Sequence, residues 1–189
     1  MKIIFLDIDG VLNGCDILMR HIIKIWQKLK LPASIFRKYF DIFGVDEKRV
    51  KMLAKIVQKT NAKIVMSSTW RFSFWKTSYE EKCERQKKLY NLLKKYDIEV
   101  VDITPTSSTG RRETEIQQWL NNTELVVDSF VILDDESFDL KSFEKRLVKT
   151  SRKRMVMGKE IILTGLEKSH VQRAVEILNT PYGKDINNV

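Results

Sequence analysis

Apolar and polar positions change period several times along the chain, and each change predicts an element. Ile3–Leu6 is an unbroken apolar run within Lys2–Ile8, as expected of a short strand buried on both faces. From Asp16 to Lys30, Ile17, Leu18, His21, Ile22, Ile25, Trp26 and Leu29 fall on one stripe at helical spacing, and Pro32 stops that helix. Asp46 caps a second predicted helix reaching about Lys59, with Val50, Leu53, Ala54 and Val57 inward. A strand follows over Ala62–Ser67, then a long helix over Tyr79–Tyr96 and a third strand over Ile98–Val101. The polar loop Thr104–Gly110 leads into a helix from about Arg112 to Asn121, with Ile116, Trp119 and Leu120 inward. Phe130–Leu133 is a fourth strand, Leu147-Val148 a short fifth, and Leu166–Leu178 a closing helix.

Strands that alternate with helices need crossover connections, so the pattern predicts a three-layer α/β/α sandwich around a mostly parallel, Rossmann-like sheet. A length of 189 residues suits one domain. Between the first two strands there is room for a small helical cap insertion at about residues 14–45, which leaves the site open to large substrates. Ligands of such sheets bind beyond the carboxyl ends of the strands.

Those ends carry the chemistry. Asp7-Ile8-Asp9 follows the first strand, Ser67-Ser68 the second and Asp134-Asp135 the fourth. Central strands of a parallel sheet lie side by side, so Asp7, Asp9, Asp134 and Asp135 are expected to converge. Crowded carboxylates repel one another unless a cation intervenes, and a hard divalent ion such as Mg²⁺ resolves the conflict. No His or Cys cluster competes for zinc. An Asp carboxylate can attack phosphorus to give an aspartyl-phosphate, and a second acid two residues on can protonate the leaving oxygen and then activate water. Gly10 permits a sharp turn after the strand. The Ser67 hydroxyl, with Ser68 as its substitute, and a nearby cation are candidates for the phosphoryl oxygens. An EF-hand is excluded, because Leu12 stands where its loop needs Gly and a strand precedes the acids. No Gly-x4-Gly-Lys-Ser/Thr loop occurs.

Phe5-Leu6-Asp7-Ile8-Asp9-Gly10-Val11-Leu12 resembles the first motif of the haloacid dehalogenase (HAD) superfamily, Ile64-Val65-Met66-Ser67 the second and Ile132-Leu133-Asp134-Asp135 the fourth. Ser67-Ser68-Thr69-Trp70-Arg71, Arg112-Glu113-Thr114-Glu115-Ile116 with Trp119-Leu120, and Gly165-Leu166 look like one branch. That branch is the HAD domain associated with Swiss Army Knife RNA repair proteins. The resemblance implies a phosphatase with Asp7 as nucleophile and metal ligand, and Asp9 as acid/base offering its backbone carbonyl to Mg²⁺. It further implies that Ser67 binds the phosphoryl group and that Asp134 or Asp135 completes the metal site. The superfamily's third motif usually has Lys; here the best-placed cation is Arg112, with Arg111 beside it. Glu113 stands where the branch has Gly.

Composition narrows the substrate. Lys and Arg number 34 against 25 acids, a formal charge of +9, which favours polyanionic partners. Phosphorylated nucleic-acid ends or nucleotides are the expected substrates, and separate RNA repair proteins are candidate partners. A small-metabolite phosphatase and a nucleic-acid-binding module with a weakened active site are the alternatives. Arg71 suits a substrate phosphate; Trp70 suits either the core or a stacking platform. Arg112 and Glu115 also fit an ordinary pair on a helix surface, and Arg152-Lys153-Arg154 a solvated loop. His21 and His170 lie on helical patterns without catalytic partners. Cys15 and Cys83 read as buried free thiols, which together with the absence of a leader-like or membrane-spanning apolar run suggests a cytoplasmic protein.

Overall fold

The computed structural model describes residues 1–14, 28–29, 44–156 and 158–182. The helix expected over Asp16–Lys30 and the cap insertion lie outside the described residues, apart from positions 14, 28, 29, 44 and 45. The main sheet has five strands: β1 (Lys2–Leu6), β2 (Lys63–Met66), β3 (Val100–Ile103), β4 (Ser129–Asp134) and β5 (Leu147–Lys149). They lie in the order β3-β2-β1-β4-β5, and every pairing is parallel. Helices α1 (Glu47–Thr60), α2 (Arg71–Lys76), α3 (Glu84–Lys95), α4 (Arg112–Asn122) and α5 (Lys168–Leu178) connect or follow them, with a 3-10 turn at Lys141–Arg146.

Alternation along β1 divides the core between the two faces of the sheet. Ile4 and Leu6 point into a cluster with Val50 and Leu53 of α1, Leu89 and Leu93 of α3, and Val171 and Ala174 of α5. Ile3 and Phe5 point into another with Ile116 and Trp119 of α4, and with Phe130, Leu140 and Phe143. There Phe5 meets the rings of Trp119 and Phe130 edge to face, at 5.3 and 5.6 Å. The result is the helix–sheet–helix sandwich that the pattern predicts.

Parallel pairing continues one residue beyond the strands, and this positions the site. The amide of Asp7 donates to Leu133 O, that of Ser67 to Leu6 O, that of Thr104 to Met66 O and that of Thr150 to Asp134 O. The first residue of each loop is therefore held in the sheet while its successors are free to turn.

Four local expectations fail. The long helix over Tyr79–Tyr96 is only α3, because Cys83 and Gln86 form a capping box that starts it at Glu84. Strand β3 begins two residues late, since Asp97 at φ 53° closes α3 and the Ile98 amide is used on Leu93 O. Arg152-Lys153-Arg154 is not a loop. It opens β6 (Arg152–Val156), which pairs antiparallel with β7 (Lys159–Leu163) and carries a Lys153–Glu160 ion pair at 3.1 Å. Cys83 is exposed rather than buried, and Cys15 lies outside the described residues. Among the described residues no helix is long and apolar enough to cross a membrane.

Candidate active site

A cavity of about 490 Å³ opens over the carboxyl ends of the strands, lined by Asp7, Asp9, Thr69, Arg71, Arg112, Glu115, Asp134, Asp135 and their neighbours. Asp7, one residue past central β1, is buried. Its Oδ1 accepts a hydrogen bond from Arg112 Nη1 at 3.0 Å, and Arg112 Nε lies 3.3 Å from Asp134 Oδ2. One guanidinium thus bridges the acids of two adjacent strand ends. Arg112 is the first residue of α4, and its own amide donates to Asp139 Oδ2 at 2.9 Å, so the loop after β4 fixes where α4 starts.

Asp7, Asp134 and Asp135 each bring a carboxylate oxygen within 4.8 Å of the others. Burial, opposed by Arg112 and reinforced by Asp134, pushes the Asp7 carboxyl up to about 7. Burial and then Asp134 push Asp135 up to about 6. Asp134 is raised too, mainly by burial, although Arg112 works against it. Burial opposes the Arg112 charge, yet Asp7 and Asp134 hold its pKa above the ordinary value. Such a set of hard oxygen donors, short of positive charge, fits a divalent cation of the Mg²⁺ type.

Asp9 is placed differently from its three companions. Its carboxylate is exposed, accepting from Asn13 Nδ2 at 2.6 Å and from Trp70 Nε1 at 3.0 Å, and it lies outside the three-carboxylate cluster. Trp70 is half-buried and serves as that donor, with the Arg85 guanidinium 5.6 Å from its ring. Gly10 adopts φ 73°, and a Cβ there would fall 2.2 Å from the Asp135 carboxyl, so only glycine lets the β1 loop pass this acid.

Ser67 and Ser68 are buried beneath the cavity, and Ser68 hydrogen-bonds Asp7. The Ser67 hydroxyl has no hydrogen-bond partner among the described residues. It is a buried hydroxyl left unpaired at the end of β2, next to the nucleophile candidate.

Arg71 and Glu115 form a pair that spacing along the chain did not reveal. Arg71 Nη2 lies 2.9 Å from Glu115 Oε1, and the two side chains are 4% and 8% exposed. Arg71 also donates to Ser68 O and Pro105 O, while Glu115 accepts from the Ser107 amide. The pair ties the loops after β2 and β3 to α4, one turn from Arg112. Glu115 therefore faces Arg71, not Arg112 as on an ordinary helix surface. Arg111 is exposed and does not line the cavity. Asp139 escaped the sequence reading entirely; nothing in its neighbourhood distinguishes it from any loop acid.

Against known families, residues 3–158 match the one described as the HAD domain in Swiss Army Knife RNA repair proteins. The chain belongs to that family. No curated protein and no solved structure shows a significant match. Membership supports a HAD-type hydrolase and sets this HAD domain in an RNA repair context.

Proposed function

We infer that this HAD domain is a Mg²⁺-dependent phosphomonoesterase working through an aspartyl-phosphate on Asp7, and that it acts on phosphorylated nucleic-acid ends. The observation that carries the reading is the Asp7 carboxylate at the end of the central strand, anchored on one oxygen by Arg112 and flanked by Asp134 and Asp135. Asp7, Asp134 and Asp135 would hold the metal, together with the backbone of Asp9. Bound there, Mg²⁺ would offset repulsion between carboxylate and phosphate and polarise the phosphoryl group.

The chain's own groups account for the proton and bond changes. Asp7 attacks phosphorus through its second oxygen, and the ester P–O bond breaks. Asp9, held at the exposed rim by Asn13 and Trp70, gives its proton to the leaving oxygen. Ser67 and Arg112 donate hydrogen bonds to the phosphoryl oxygens. Asp9, now a carboxylate, takes a proton from water as that water attacks the phosphoenzyme. Phosphate leaves, and the Asp7 carboxylate and the Asp9 acid are restored.

The +9 charge and the family's RNA repair context support nucleic-acid ends over small metabolites. Asp7→Asn should abolish p-nitrophenyl phosphate hydrolysis, since an amide is a poor nucleophile. The parent chain under single turnover should show phosphate on the Asp7 peptide by mass spectrometry. Full activity in a folded Asp7→Asn protein would refute the mechanism.

A further inference from the structure

Beside β3, an edge strand of the main sheet, lies a second cavity of about 510 Å³. Its walls come from Phe74 and Trp75 of α2, Tyr79 and Lys82 of the α2–α3 connection, and Tyr90 and Lys94 of α3. The rings are close to one another: Tyr79 and Tyr90 are 5.3 Å apart, Phe74 and Tyr90 6.2 Å. Even so, Trp75 is 47% exposed and Tyr79 and Tyr90 39% each. Clustered rings left half in water form a surface that gains by being covered.

Charge restricts what can cover it. The lining contains two lysines and no carboxylate. The Lys82 amine, bonded to Thr77, is a fixed positive charge 5.5 Å from the Phe74 ring. Along α3, Arg85 and Lys88 add to Lys94, while Lys87 pairs with Glu84 and Lys95 with Glu47, and Glu80 and Glu81 precede the helix. Flat π-faces bordered by cations match a stacked base with its phosphates. An apolar peptide would leave the exposed Lys94 amine unmatched.

Helix α2 joins this cavity to the catalytic one. Arg71 and Phe72 line the pocket around Asp7, and Phe74 and Trp75 line the aromatic cavity. Six helical residues span roughly 9 Å, and a stacked strand rises about 3.4 Å per nucleotide. On that scale, a strand whose end sits at Asp7 would bring a nucleotide a few positions from its end to the rings.

We propose that the aromatic cavity is a subsite for an unpaired nucleobase of a single-stranded nucleic acid, a few nucleotides from its terminal phosphate. The proposal rests on reading the Asp7 pocket as a phosphate-end site. The test is competition by phosphorylated oligonucleotides of one, two, four and eight residues against a fluorescein-labelled single-stranded octamer, read by anisotropy on the full chain. Affinity should climb to about four nucleotides and then level off. Trp75→Ala and Tyr90→Ala should each weaken the four-residue ligand about tenfold, within the range for losing one stacked base. Tyr90→Phe should restore binding, and p-nitrophenyl phosphate turnover should not change in any of the three.

Affinity independent of length, or equal in parent and alanine variants, would overturn the subsite even with hydrolysis intact. So would unchanged binding combined with lower melting temperatures in both alanine variants, the outcome expected if another part of this chain fills the cavity. Length-dependent, ring-sensitive binding in a protein that hydrolyses no phosphate ester would keep the subsite and remove the proposed activity instead.

Discussion

Around Asp7 the walls are carboxylates with two guanidiniums between them; around Tyr90 they are aromatic rings with lysines, although α2 contributes to both cavities. In the first, charges are buried, mutually repulsive and held in place by strand-end hydrogen bonds and ion pairs. In the second, apolar faces stand open to water and the charges are of one sign. A pocket rich in acid does not attract a phosphate unaided, so under the proposed function the chain's positive excess would have to act from outside the reacting centre. On the proposed reading, attraction and chemistry fall to different surfaces, joined by one short helix.

The most disruptive way to break this division is to break the strut beneath it. Glu115→Ala leaves the Arg71 guanidinium buried without its carboxylate, and loss of one partner of a buried pair costs about 3–5 kcal/mol. Urea unfolding should register that loss, whereas Trp75→Ala, at an exposed ring, should lose far less. Equal losses would mean that the two regions are not built as differently as their burial indicates.

Next in size, Arg112→Ala should lower kcat for p-nitrophenyl phosphate by about 10²–10³, the usual effect of removing a charge-stabilising donor, with partial recovery in Arg112→Lys. Single-strand binding through the aromatic cavity should be much less affected. A variant that loses both alike would indicate one merged site.

A third test uses protons. The Asp7 carboxyl titrates near 3.8 when unfolded but near 7 in the metal-free fold, because burial disfavours its charge. Its ionisation therefore costs stability progressively as pH rises from about 4 through 7, and the protonated form at low pH is free of that cost. Asp7→Asn cannot ionise, so its melting temperature should gain on the parent between pH 5 and 8. Mg²⁺ should narrow the gap, and EDTA should restore it. A gap independent of pH would show that Asp7 is not held in this environment.

The smallest effect belongs to the lysine rim. Lys94→Ala should reduce the slope of log affinity against log salt for a single strand by about 0.7, the value of one phosphate contact, while leaving p-nitrophenyl phosphate turnover unchanged. An unaltered slope would remove Lys94 from the binding surface.

Much of this was readable before folding was considered. The run Ile3–Leu6 closed by Asp7 gave both a buried strand and an acid at its end. Asp46 announced α1, and its side chain does accept from the Lys48 amide at 2.9 Å. The late start of α3 and the β6–β7 pairing were not readable, because a capping box at Cys83 and a two-stranded ribbon depend on small local balances that apolar period does not record.

By itself, the sequence determined the alternation of strands and helices, the acids at the strand ends and the family to which they belong. These follow from periodicity and from residues close together in the chain. Only the tertiary structure decided that Arg112 bridges Asp7 and Asp134, that Arg71 is occupied by Glu115, and that Asp9 turns outward to Trp70 and Asn13. It likewise decided that rings from α2, α3 and the segment between them close around one cavity. Each of these joins loops or helices set by separate strand ends, and such partners are chosen by distance in space, which spacing along the chain does not encode.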